Sequence, residues 1–252
     1  MQIRTEGIVI KETNVSENDK YITILTSDLG TVEAYVKGAR RKGSALAAST
    51  GLFCYCSFEL FYNKSKYYLD QADINQLFYD IRLDLNRLSI ASYFCQIIYE
   101  IKPDRDNCKE ILRLMLNSMH LLANTKKDAR IIKAVFELRC MALSGLCPDL
   151  VACRECGEFD KKMRFYINDG TILCQDCAAE GESEKEEFGY ANITPSVLAA
   201  MRHIAYSDAG KVFSFTLDES NLKLLGEVCE SYLVCQTERS YRSLEFLKTM
   251  ME

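Results

Sequence analysis

Cys153-Arg154-Glu155-Cys156, followed after seventeen residues by Cys174-Gln175-Asp176-Cys177, is the stretch from which the fold is read. Each Cys-x-x-Cys turn presents two sulfurs, and two such pairs at this separation match a two-knuckle zinc site. Four thiolates close a tetrahedron around one Zn2+ and leave no position for water or substrate. The metal is therefore expected to be structural, with Cys153, Cys156, Cys174 and Cys177 as its ligands. Between the knuckles, Met163 to Ile167, Asn168-Asp169-Gly170 and Thr171 to Leu173 read as strand, turn and return strand. That is a zinc-ribbon pattern, with almost no apolar core of its own. Two other readings of these residues stay open: four unrelated buried thiols, or a Cys-x-x-Cys redox site in a thiol oxidoreductase. Metal content separates them, because a closed zinc site uses all four sulfurs.

Upstream, from Gly7 to about Asp73, the sequence reads as short strands broken by turns. Gly7 to Thr13, Tyr21 to Thr26, Thr31 to Lys37, Phe58 to Tyr62 and Tyr67 to Leu69 make five, which suits a small closed barrel. An OB-fold is the expected form, with an SH3-like barrel as the alternative. Alternation assigns Ile22, Ile24, Val32, Ala34 and Val36 to the interior and points Tyr21, Thr23, Tyr35 and Lys37 outward. On OB-folds the outer face of strands two and three commonly carries nucleic acid, which makes Tyr21 and Tyr35 candidate stacking platforms. Tyrosine is also simply a good strand former. The third strand leads into Lys37-Gly38-Ala39-Arg40-Arg41-Lys42-Gly43-Ser44. That cluster stands out because residues 1–80 taken together, the cluster included, carry nine basic and ten acidic side chains, and an exposed, mobile loop of this kind can reach phosphates through Lys37, Arg40, Arg41 and Lys42. A solvated charge run is the competing reading.

Downstream of Ile81 the apolar period changes from two to about 3.6. Helices are expected through Leu85 to Ile101, through Ile111 to Leu122 and through Ile131 to Leu143, the first ended by Lys102-Pro103 and the third by Gly145. The acidic run from Glu180 to Glu187 reads as a solvated linker. Thr194-Pro195 caps a further helix, and another begins at about Ser220. The fold class is thus α+β and multidomain. A five-stranded OB-fold barrel occupies residues 1–80, and a helical domain occupies 81–252 with the zinc ribbon inserted at about 148–180.

A chain of 252 residues that is 48% hydrophobic can bury a substantial core, and its net charge of −5 excludes a protein coated in positive charge. Nucleic-acid binding would have to rest on a local patch. Twelve cysteines without a signal peptide do not read as a secreted disulfide framework, and the eight outside the knuckles read as reduced core thiols of a cytoplasmic protein. No apolar run approaches a membrane span, so no membrane partner is expected. His120 and His203 are isolated from each other and from the cysteine pairs, and no nucleophile, base and orienting group can be assembled. Hydrolase readings are rejected and an enzyme is not expected.

At this point nearly the whole chain resembles the RecO family of DNA recombination and repair mediators. The resemblance is carried by Gly7-Ile8-Val9-Ile10, by Ile22-Thr23-Ile24-Leu25-Thr26 running into Gly30, and by Lys37-Gly38-Ala39-Arg40-Arg41. It continues in Arg82-Leu83-Asp84-Leu85 before Ala91-Ser92-Tyr93, in Gly145-Leu146-Cys147-Pro148, and in Cys153-x-x-Cys156-Gly157. It implies an N-terminal OB-fold, a helical domain and, in many members, this ribbon. It also implies binding of single- and double-stranded DNA, annealing of complementary strands, and loading of RecA with RecR onto DNA coated by single-strand-binding protein. No covalent chemistry is implied, and the setting would be bacterial cytoplasm, at the nucleoid during repair. Where the family ends in a basic Lys/Arg-Ser-Arg-x-Phe-Leu pattern, this chain has Arg242-Ser243-Leu244-Glu245-Phe246-Leu247. The second function class is a zinc-ribbon scaffold that binds proteins and has little DNA affinity.

Overall fold

The structure, a computed structural model, describes residues 1–159, 161–180 and 189–251. The expected acidic linker lies outside the described residues from Gly181 onward. The chain forms two compact units, residues 1–125 together with 241–252, and residues 126–240. This grouping differs from a division at residue 80, because helices on both sides of the second unit in sequence fold with the barrel.

In the first unit, β1 (Gln2–Asn14), β2 (Lys20–Thr26), β3 (Thr31–Val36), β4 (Cys54–Asn63) and β5 (Lys66–Leu77) close in the order β1-β2-β3-β5-β4. The barrel is OB-like rather than SH3-like, and a short helix, α1 (Leu46–Ser49), lies between β3 and β4 in sequence. The strands run longer than expected because their ends lack apolar alternation. Val9, Ile22, Ile24, Val32, Ala34, Val36, Phe58 and Leu60 fill the interior. Each large side chain among them contributes roughly 1.5–3 kcal/mol of transfer free energy.

One expectation about the outer face needs correction. Thr23 is buried, and so are Ile8 and Leu25 on the same face. The reason is that α2 (Leu85–Ile101) and α3 (Cys108–Asn124), which follow a 3-10 helix at Tyr79–Leu83, pack across β1 and β2. Gly30, at φ +77°, makes the close approach possible, since a Cβ there would stand 2.6 Å from the carbonyl oxygen of Pro103. The outer face is thus covered at the Leu25 end of β2 and open at the Tyr21 end.

A charge sits inside the other end of the barrel. The Lys20 ammonium donates to Glu12 Oε2 at 2.6 Å and to the Thr50 carbonyl at 2.7 Å, while Glu12 Oε1 accepts from the Leu52 amide at 2.6 Å. Two of the three ammonium donors of this buried lysine thus meet acceptors, one of them charged, which offsets the cost of burying it. The unit is completed by α8 (Arg242–Met251), which packs against α2. Tyr241 stacks edge-on against Tyr93 at 5.6 Å, and Leu244 and Leu247 are buried. The residue that departs from the basic family pattern, Leu244, is therefore a packing residue.

The second unit carries α4 (Ala129–Leu143), α6 (Pro195–Tyr206) and α7 (Glu219–Thr237), packed against one another. As the sequence indicates, the Thr194 hydroxyl caps α6 by accepting from the Val197 amide at 3.1 Å. Between α4 and α6 lie β6 (Met163–Tyr166), β7 (Thr171–Cys174), α5 (Gln175–Glu180) and β8 (Tyr190–Ile193). Their sheet has the order β7-β6-β8, so the ribbon hairpin gains a third strand from beyond the acidic run.

Candidate functional site

Two places gather the residues singled out above: the cysteine knuckles of the second unit and the open outer face of the barrel in the first. At the knuckles, Gly157 takes φ +73° and its amide donates to the Cys153 carbonyl at 2.9 Å, which closes the first turn. The second pair straddles the start of α5. The four Sγ atoms of Cys153, Cys156, Cys174 and Cys177 all lie within 4.8 Å of one another, with Cys156 and Cys174 at 3.7 Å. A tetrahedral zinc with Zn–S of about 2.3 Å separates its sulfurs by about 3.8 Å, so the donor set fits a zinc ribbon.

The electrostatics point the same way. Burial opposes ionisation of Cys153, but backbone amides of Cys156, Cys174 and Glu155 bring its thiol down to about 6. Cys177, hydrogen-bonded to Cys174 and Cys156, is instead pushed up. Four sulfurs this close cannot all carry charge without a cation among them. The ribbon itself buries more apolar surface than its sequence suggests. Met163, Phe165 and Ile172 are buried, and Phe165 meets Tyr232 of α7 edge-on at 5.4 Å. Gln236 of α7 donates to the Asn168 carbonyl at 2.8 Å, and a Cβ at Gly170 would stand 2.7 Å from the Tyr232 hydroxyl. The hairpin therefore shares the core of the helices that flank it.

On the barrel, cross-strand register does the positioning. Tyr21 pairs with Tyr35, Tyr35 with Tyr68, and Tyr68 with Phe61, so four aromatic residues form one row across β2, β3, β5 and β4. The ring centroids of Tyr21 and Tyr35 are 5.3 Å apart and those of Tyr35 and Tyr68 are 6.0 Å apart, both edge-to-face. Tyr68 and Phe61 are exposed, whereas Tyr21 and Tyr35 are half-buried. Sequence reasoning finds the first two residues and misses the others, because β4 and β5 expose both faces near their turn and show no alternation there. Two pairs beyond Phe61 that turn carries exposed Lys64 and Lys66.

The basic loop is exposed at Lys37, Arg40, Arg41 and Lys42, as expected, but it is not the untethered loop its glycines suggest. Ala39 is buried, the Arg40 amide donates to the Asn18 carbonyl at 3.0 Å, and the Arg40 guanidinium donates to the Ser16 carbonyl at 2.7 Å. Asp19 ties the loop to the aromatic row. Its carboxylate accepts from the Tyr35 hydroxyl at 2.6 Å and from the Gly38 amide at 2.7 Å, which hold its pKa below the usual value. The six residues predicted from sequence are thus gathered into one patch that joins cations to ring edges.

The family model described as Recombination protein O N terminal matches residues 1–78, and the one described as Recombination protein O C terminal matches residues 82–245. The chain belongs to the RecO family. Curated RecO relatives align over almost their whole length. The DNA repair protein RecO of Acetivibrio thermocellus is 36% identical, over 98% of this chain and 97% of the relative. That of Symbiobacterium thermophilum is 31% identical over 97% and 96%, and that of Clostridium acetobutylicum 23% identical over 99% and 98%. Among the described residues no helix of this RecO chain is long and apolar enough to cross a membrane.

Proposed function

We propose that this chain is a DNA repair and recombination mediator that acts without covalent chemistry. In this reading the barrel, residues 1–80, holds single-stranded DNA with bases stacked on Tyr21, Tyr35, Tyr68 and Phe61 and phosphates met by Lys37, Arg40, Arg41 and Lys42. The observation that carries it is the continuous aromatic row flanked at both ends by cations, the combination that binds single strands without regard to sequence. Double-stranded DNA meets the same cations. Annealing follows because screening two strands at one basic patch removes the repulsion between them. The finer reading adds RecR and single-strand-binding protein as partners, RecA as the recombinase loaded, and the bacterial cytoplasm as the setting. It rests on membership of the RecO family.

The second element of the proposal is one Zn2+ on Cys153, Cys156, Cys174 and Cys177. When bound, it supplies a structural tie between the two knuckles, with no open coordination position. The residues around it hold the thiolates through backbone amides and dock the hairpin on α7.

Fluorescence anisotropy of a labelled oligothymidylate at low salt tests the DNA reading. Tyr21→Ala and Tyr68→Ala should each cost about 1–3 kcal/mol, roughly five- to 150-fold in affinity, with annealing rates falling in parallel. Wild-type binding too weak to measure would favour a scaffold that binds only proteins. Unchanged binding in both variants would move the DNA site off the barrel face.

A further inference from the structure

Beyond Tyr68, β5 has a strand partner on one side only, although α1 also packs against it. It pairs with β3 at Tyr67 and Tyr68 alone, while its pairing with β4 continues to Leu77. Asp73 to Leu77 are exposed on both faces of the strand, and Ile74 and Leu77 are among the exposed large apolar side chains. An edge of this kind presents unpaired amides and carbonyls and is a template for a further strand. Irregularities between Leu69 and Gln71 and between Ile74 and Gln76 confine the regular edge to Gln71–Ile74.

We propose that this edge of β5 docks an extended segment of a partner protein in which cationic and apolar residues alternate. The pleat sets that chemistry. On one face, Asp73 lines an open concavity with Glu6, Asp28 and Glu59, where Arg4 is the lone cation and is already paired with Glu59. Side chains of an added strand on that face must be cationic. On the other face, Ile74 is exposed beside its cross-strand partner Cys56, where α1 packs on β4 and β5, and alternate side chains of the added strand must be apolar to cover it. A second copy of this chain is a poorer occupant, because pairing β5 with itself about a two-fold axis would bring two acidic edges together. The site is separate in residues from the aromatic row and basic loop, so its test does not depend on DNA binding.

The probe is a seven-residue peptide of alternating lysine and valine with blocked ends, titrated into the full zinc-loaded chain, with backbone amide shifts and affinity as readouts. A peptide with glutamate in place of lysine is the control. Shifts should be confined to Gln71–Leu77 and the adjoining strand β4, and the glutamate peptide should give none. Asp73→Lys, an exposed change that leaves the core untouched, should weaken the lysine peptide at least fivefold. Ile74→Ser should weaken it as well, with the unperturbed backbone amide spectrum of the other barrel strands confirming that the variant is folded. Should the Ile74 variant fail to fold, Asp73→Lys alone decides. Equal binding of both peptides, shifts spread over other acidic surfaces, or unchanged affinity in Asp73→Lys would each overturn the proposal. A concentration-dependent dimer abolished by Asp73→Lys would assign the edge to a second copy instead and would equally overturn it.

Discussion

The hydroxyl of Tyr35 donates to the carboxylate of Asp19 at 2.6 Å, so the β1–β2 loop is tied to the aromatic row. The other Asp19 oxygen holds the amide of Gly38, the hinge from which the cations depart. An acid placed beside a cationic patch would by charge alone weaken phosphate binding. Its position shows a different use, as a fixed acceptor that orders the ring and the loop before any ligand arrives.

Acid should therefore loosen this patch. The Tyr35 hydroxyl and the Gly38 amide depress the Asp19 pKa in the folded state, so its contribution is present above the unfolded value near 3.8 and is lost as pH falls through the still lower folded value. Ordering of the loop should be constant from neutrality down to about pH 4 and fail below it. Asp19→Asn should speed hydrogen exchange at the Gly38 amide several-fold at pH 7. Equal exchange in wild type and variant would show that the loop is held by other bonds.

Salt dependence should report which cations reach phosphate. If Arg41 and Lys42 each neutralise one, changing both to Ala lowers the logarithmic salt slope of single-strand binding by about 1.4, from roughly 0.7 per contact. The loss should be alike for all base sequences, because phosphate contacts carry no base information. Arg40→Ala should differ in kind, since its guanidinium also holds the Ser16 carbonyl, and it should accelerate exchange in the loop. A salt series on wild type and both variants measures this, and an unaltered slope in the Arg41/Lys42 double variant would refute phosphate contact there.

Removing one cysteine from the proposed metal site should separate two kinds of stabilisation. Cys174→Ser should lose stoichiometric zinc under chelator, which metal analysis can detect. Strands β6 and β7 should nevertheless stay folded, because Phe165 and Ile172 are buried in the helical core. Limited proteolysis should then cut near the knuckle at residues 153–158 and spare the hairpin. Cleavage throughout β6 and β7 would mean that the metal, not α7, organises the ribbon.

The lysine in the barrel end should be costly to remove by itself. Lys20→Met leaves Glu12 without its counter-ion, and the loss should be about 2–3 kcal/mol in urea unfolding. This is less than for a wholly enclosed pair, because the Glu12 side chain remains 35% exposed. Adding Glu12→Gln should recover part of it. A single variant as stable as wild type would show that the pair does not contribute net stability.

The parts of this molecule that declare themselves in sequence are those set by local spacing. Ile22, Ile24, Val32, Ala34 and Val36 alternate because a strand alternates, and Cys153 to Cys177 repeat because a knuckle needs two sulfurs three residues apart. What stays hidden depends on partners distant in the chain. Thr23 and Leu25 face outward by parity, yet they are buried, because α2 and α3 cover that end of the sheet. Tyr68 and Phe61 join the aromatic row only through the parallel pairing of β3 with β5. Lys20 looks like a solvated strand-end lysine until Glu12 and the Thr50 carbonyl are brought to it by closure of the barrel.

The return of residues 241–251 to the first unit sets an order of events on the ribosome. Chain emerging from the tunnel delivers residues 1–125 first, but Tyr93 lacks Tyr241, and Gln96 lacks the Ser243 amide at 3.2 Å, until more than a hundred further residues have been made. All of residues 126–240 can meanwhile collapse as an uninterrupted stretch. The unit begun first is thus finished last, and a ribosome stalled before codon 241 would leave a barrel whose helical cover is still missing α8.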